Sequence, residues 1–450
     1  MKYILPLFAI TLGLALPCAV RAQSDKDTTA ARSGFANFKA GKYDDAIKDF
    51  DAAIKLDPAD PVNYRNRAIV YSKKGEPAKA IESYTQALAK DEDDLPSRVG
   101  RGSLRVNTGD YKNALEDINA VIKAKPQDTE QYRLRSFAYA KLDQLDKAID
   151  DLNVVLKAKP GDATAIGRRA ALYSRQKQYA KAVADYSDLI KAKPDDAQSY
   201  RDRAVAYEGE KKTTEALADW DKVLGLLPND TIAHNRRGFI YAQQGAFDKA
   251  VTEYDATLKV DPDNNMALEQ RAFAYAKTGN LNKAVTQYTD ALKANPKDAD
   301  AFLNRGSAYL AQSKLDQAID DLNHSIEIDP KEPRAYRERA YAFFKKAAWD
   351  KSLADYDKVI QTKPTDQAAY KFRGYVYSSL KQNDKALADY NKAVELNPKD
   401  SGAYMSRGNL YALTSEFDKA KVDYSKVVEL NNEPEAVKQA QDMLTKLAVP

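Results

Sequence analysis

Apolar residues recur at spacings of three and four in paired segments along the chain, and the pattern predicts α-helices joined two by two. Prolines stand at 58, 126, 160, 194, 228, 262, 296, 330, 364 and 398, all in phase with a single repeat, and Glu92 and Asn432 are the two interruptions. Placing this proline at position 32 of the repeat divides Asp27 to Pro434 into twelve equal units without insertion or deletion. A fixed period of that length is the mark of stacked supersecondary units, each burying its neighbour's apolar face. Positions 1 to 14 and 18 to 31 carry the two helical patterns, with Gly75, Gly109, Gly245 and Gly279 at the turn between them. The proline then ends the second helix, because it lacks the donor and restrains the residue before it.

Position 8 is small in every unit, as in Ala68, Gly238 and Gly374, and position 20 is alanine in every unit but the tenth, which has Ser352. Small residues at the middle of two amphipathic segments let helices cross closely. Tyrosine fills position 11 in nine units, and position 24 is mostly aromatic, as in Tyr84, Trp220 and Tyr254, so both sets of rings are expected to fill the core.

An aromatic residue at position 4, a small one at 8, Tyr at 11, Ala at 20, an aromatic at 24 and Pro at 32, recurring in phase from unit to unit, resembles the tetratricopeptide repeat. The resemblance covers nearly all of the chain. It implies an all-α fold, a right-handed α-α superhelix (TPR solenoid) of about twelve 34-residue helical hairpins. Their expected bounds are 27–60, 61–94, 95–128, 129–162, 163–196, 197–230, 231–264, 265–298, 299–332, 333–366, 367–400 and 401–434. Residues 23–434 form the expected solenoid and 435–450 the capping helix and tail. Within that tail Val437, Ala440, Met443, Leu444 and Leu447 make one stripe on a polar helix, the form of a cap on the last hairpin.

The N-terminus follows another pattern. Lys2 is followed by an apolar run from Ile4 to Val20 and then by Val20-Arg21-Ala22, which predicts a signal peptide over 1–22 cleaved before Gln23. Cleavage places the protein in the periplasm or outside the cell and leaves no membrane span. It removes Lys2 and Arg21, bringing basic residues from 70 to 68 against 66 acids, a balance without bulk attraction for nucleic acid or anionic lipid. It also removes Cys18, the one cysteine, so packing and not disulfides must stabilise the fold.

Position 7 is arginine in units two to twelve, and position 23 is acidic in all units except those with Ser83 and Gln287. A partly buried arginine needs a carboxylate, so this pairing is expected to belong to the frame. Pairing within a unit and pairing to the preceding unit each account for nine of the eleven arginines. Asp49, whose own unit has Ser33 instead of arginine, favours the second by offering a partner to Arg67.

In tetratricopeptide repeats, positions 5 and 9 lie on the first helix and face the inner groove. Position 5 here carries Arg65, Arg133, Arg201, Arg337 and Lys371, and position 9 carries Phe35, Phe137, Phe239, Phe273, Tyr341 and Tyr375. Arg133 with Phe137 and Arg337 with Tyr341 set a donor four residues before a ring on one helical face. The richest patch is Arg334, Arg337, Tyr341, Phe344, Lys345, Lys371 and Tyr375, suited to an acidic or C-terminal segment of a protein or peptide partner. The carboxylate clamp that some family members use for chaperone tails is missing: Asn66 and Asn304 hold position 6, but their flanking units supply Phe35, Pro96 and Gly100, or Glu269, Phe273 and Glu338.

Catalysis finds no support. His234 and His324 lie far apart in the chain, no nucleophile or phosphate-loop motif occurs, and no cofactor or metal is implied. The expectation is therefore a non-enzymatic adaptor of the bacterial envelope that holds a partner segment in its groove. The alternative is a structural subunit of an envelope export or outer-membrane assembly machine.

Overall fold

The computed structural model describes residues 25–448, so the expected signal peptide lies outside them. Among the described residues every regular element is an α-helix, 25 in all. They alternate between the first (A) and second (B) helix of successive hairpins and fall into two compact units, divided between Lys212 and Thr213. The first unit runs from α1 (Asp25–Lys39) to α11 (Ala197–Gly209), and the second from α12 (Thr213–Leu226) to α25 (Pro434–Ala448). Within each unit a helix packs on its hairpin partner and on the next hairpin, so the fold is an all-α solenoid.

Helix boundaries follow from capping chemistry. The last position of each repeat supplies the cap of the next A helix: Asp162 accepts from the Ala165 N–H, Asp298 from Ala301, Asp366 from Ala369 and Asp400 from Ala403. B helices start at position 17, one residue earlier than the sequence suggests, because the residue there already belongs to the first turn, as in α20 (Trp349–Thr362). The turn between helices takes a left-handed residue at position 15. Glycine provides it at 41, 75, 109, 245 and 279, whereas Asp143, Lys177, Lys211, Ser313, Ala347, Lys381 and Ser415 adopt it without glycine.

The small residue at position 8 faces the ring at position 24. A Cβ added to Gly374 would come within 2.7 Å of the Tyr390 ring, so the hairpin crosses there at glycine contact distance. Rings at position 24 are buried, from Tyr84 to Tyr424. Those at position 11 depart from expectation: Tyr139, Tyr173, Tyr241 and Tyr377 are half-buried, each between the arginine at position 7 and the lysine at position 19. A ring lined by two cations keeps an edge in water, and so these tyrosines border the core instead of filling it. At the far end α25 lays Ala440, Met443, Leu444 and Leu447 on Tyr424 and Val427, joined by Ala436.

Candidate functional site

The arginines at position 7 resolve as staples within and between hairpins. Arg101, Arg135, Arg169, Arg305, Arg339, Arg373 and Arg407 each grip the position 23 carboxylate of their own hairpin through Nε and Nη2, at 2.6 to 2.9 Å. The remaining nitrogen, Nη1, reaches a polar side chain at position 25 of the preceding hairpin, as in Arg339 with Asn323 and Arg373 with Asp357, both 2.7 Å. One planar fork thus closes a hairpin and ties it to its predecessor, which a lysine could not do. The suggestion from Asp49 fails. Its carboxylate accepts from Ser33 and Asn37 at 2.8 Å, while Arg67 turns to Ser83 in its own hairpin and to Asp51 before it.

The position 5 cations form a second set of joints. Four of the five reach the capping carboxylate at the start of the next A helix: Arg65 to Asp94 at 2.5 Å, Arg133 to Asp162, Arg337 to Asp366 at 2.8 Å and Lys371 to Asp400 at 2.9 Å. Burial alone would raise the Asp162 and Asp400 carboxyls, yet Arg133 and Lys371 hold both below the ordinary carboxylate range. Arg334 is likewise engaged, with Glu338 at 2.8 Å and with Asn304 and Ser307 of the preceding A helix at 3.1 Å. The expected groove donors Arg133, Arg334, Arg337 and Lys371 are therefore neutralised inside the protein. A carboxylate ligand would have to displace an existing partner.

The rings of the expected patch do assemble. Tyr341 stacks on Phe344, meets Phe372 edge-on at 5.7 Å, and Phe372 continues to Tyr375, which meets the buried Tyr390. Phe344 also meets Trp349, and Ser406 Oγ donates to Tyr375 Oη at 2.6 Å. Where a cation covers a position 9 ring, it is not the preceding arginine but the lysine four residues later. Lys345 covers Tyr341 at 5.4 Å, Lys141 covers Phe137 at 5.3 Å and Lys277 covers Phe273 at 5.1 Å. Phe137 and Phe273 also rest edge-on against Tyr111 and Phe247, rings at position 17 of the preceding hairpin.

Phe239 differs. Gln243 stands where the lysine would be, and the ring is 41% exposed, with Ile232 at 57% and Met266 at 42% on the same two A helices, α13 (Thr231–Gln243) and α15 (Asn265–Lys277). On α15 the position 5 residue is Glu269, and its counterpart at the next helix start is Asp298, the cap of α17 (Ala299–Ala311). A joint made elsewhere by opposite charges here joins two acids. Burial, with Asp298 and Asp300 adding to it, pushes the Glu269 carboxyl up to about 8. Of this group the sequence pattern singles out Phe239 alone; Ile232, Met266 and Glu269 escape it. The sign of position 5 compared with the following cap would find Glu269, and apolar residues at position 2 of successive units would find Ile232 and Met266.

Models described as tetratricopeptide repeat match residues 65–129, 99–163, 168–231 and 269–333, and others so described match 231–264, 368–400 and 401–434. One described as TPR repeat matches 34–75. No curated protein matches the chain. Among solved structures, a tetratricopeptide repeat protein from Parabacteroides merdae is 22% identical over 55% of this chain and 98% of its own, with a TM-score of 0.47. Yeast Tom70 is 17% identical over 93% and 96% of the two chains, with a TM-score of 0.41. YrrB, described as a TPR protein with an unusual peptide-binding site, is 19% identical over 42% and 97%, with a TM-score of 0.37.

Proposed function

The chain belongs to the tetratricopeptide repeat family, and from that premise we propose that it is a non-enzymatic scaffold of the bacterial envelope that holds a protein or peptide segment against its A helices. The observation that carries the reading is the exposed apolar group Ile232, Phe239 and Met266 on α13 and α15. Apolar side chains gathered on a surface whose neighbouring rings are packed or covered by lysine are the usual ground for a protein partner. The support for a periplasmic or secreted location is the apolar run from Ile4 to Val20 with its small-residue end. Among the described residues no helix is long and apolar enough to cross a membrane.

Photo-reactive side chains placed in cells at Phe239 and Tyr341, with the outward control Lys283, test the reading. A discrete partner captured from the first two and not from Lys283 is the expected result. Capture that is equal or stronger from Lys283 would refute binding on the A-helix face. A second reading, the structural subunit of an export or assembly machine, draws on Leu413, Phe417 and Val422, which are exposed on the last hairpin. Under it, capture would concentrate at those three positions.

A further inference from the structure

At position 5 of the second unit the charge reverses between hairpins. Asn235 and the cap Asn264 are neutral, Glu269 and Asp298 are both acidic, and Arg337 with Asp366 and Lys371 with Asp400 are salt bridges. We propose that Ile232, Phe239, Met266 and Glu269 together receive a partner segment that presents apolar side chains beside a lysine or arginine, the cation completing the joint that Glu269 and Asp298 cannot make between themselves. The inference rests on the scaffold reading and narrows it to one place and one partner chemistry.

The geometry supplies both halves of that surface. Ile232 and Phe239 are seven residues apart, two turns along one side of α13, and Met266 is the second residue of α15, which runs next to α13. Glu269 follows Met266 by three residues, so it shares that side of α15. Its carboxylate accepts from Asn265 Nδ2 at 2.9 Å, and Asp298 and Asp300 stand close enough to raise it further beyond the effect of burial.

Two acids stand at a joint where the neighbouring ones set a guanidinium or an ammonium against the cap. Cations of the neighbouring A helices are engaged elsewhere. Lys277 lies over Phe273, Arg334 is bound to Glu338, and Arg236 is itself partnered. An incoming lysine would thus find two carboxyl groups and an apolar bed, the complement of a basic amphipathic segment. An acidic segment, which the sequence alone suggested, would meet like charge here.

The test is a titration of the purified chain with three labelled peptides of equal length, read by fluorescence anisotropy: a leucine-lysine amphipathic helix, the same helix with glutamate for lysine, and one with serine for leucine. The leucine-lysine peptide should bind saturably and the other two should not. Glu269→Arg should weaken it by about tenfold, as should Phe239→Ser. Glu269→Arg should not let the leucine-glutamate peptide bind, because the new guanidinium would be held by Asp298 as Arg337 is by Asp366. Equal affinity of wild type and Glu269→Arg for the leucine-lysine peptide would overturn the proposal, as would binding of the serine-lysine peptide with similar strength, which would mean bulk charge alone. Failure here is separable from failure of the scaffold reading: photo-capture at Tyr341 without capture at Phe239 sinks this inference only, and capture at neither sinks both.

Discussion

The eighth and tenth hairpins use the same register to opposite ends. In the tenth, Arg337 meets Asp366 at 2.8 Å and the A-helix joint is a salt bridge beside the packed rings of Tyr341, Phe344 and Phe372. In the eighth, Glu269 meets Asp298, and the apolar side chains nearby stay in solvent. One residue type at position 5 separates a joint that is closed from one that still seeks a cation. The difference teaches that a repeat can keep its backbone frame and still vary its surface chemistry one unit at a time.

The largest effect should come from making the tenth joint resemble the eighth. Arg337→Glu would set an acid against Asp366, whose side chain is buried, and should cost about 2 kcal/mol. That is below the ~3 to 5 kcal/mol of a fully buried pair because Arg337 leaves 32% of its side chain in water. Hydrogen exchange in α21 (Gln367–Ser379) would read the loss as faster opening. Unchanged exchange would mean that the ion pair does not hold the joint. The converse change, Glu269→Arg, should stabilise the junction of α15 and α17 by about 1 kcal/mol while removing the site for a cation. Slower exchange together with lost peptide binding would separate its two roles; faster exchange would show that the acid pair is itself structural.

A smaller effect follows from pH. The Glu269 carboxyl is raised in the folded protein to about 8, by burial first and then by Asp298 and Asp300. The folded state therefore binds this proton more tightly than the unfolded chain does, and its stabilising contribution is complete below the ordinary glutamate value near 4.5. It is lost as pH rises from there to about 8. Exchange in α15 should accelerate across that window in the wild type more than in Glu269→Gln, while α21 in the tenth joint should show no such difference. Parallel profiles in α15 for the two proteins would refute a raised Glu269 carboxyl.

Most of the frame was legible in the sequence. The prolines at position 32, the small residues at 8 and 20 and the buried rings at 24 answer to steric rules that act within a hairpin, so their positions suffice to read them. The destinations of charged side chains were harder. The sequence pointed Arg67 to Asp49, whereas the stacking of neighbouring hairpins brings it to Asp51, two residues further along. Position 5 looks like a row of free donors because its acceptors lie at the far end of the repeat, at cap residues whose role in starting the next helix already accounts for them. A cap such as Asp366 does both: one oxygen accepts from the Ala369 N–H and the other holds Arg337.

The same two hairpins differ once more at the turn, and there the expected effect is smallest. Position 15 is Gly279 in the eighth, at φ 77°, and Ala347 in the tenth, at φ 56°. A left-handed residue with a Cβ costs roughly 1 to 2 kcal/mol, offset by about 0.4 to 1 kcal/mol because glycine loses more freedom on folding. Ala347→Gly should therefore stabilise the tenth hairpin by about 0.5 kcal/mol, and Gly279→Ala should destabilise the eighth by a similar amount. Neither touches position 5, so peptide binding at Glu269 should hold in both. If Gly279→Ala instead abolished binding while the exchange of α15 stayed protected, the turn would be setting the geometry of the surface, and the difference between the two hairpins would lie in backbone placement and not in the charge of one side chain.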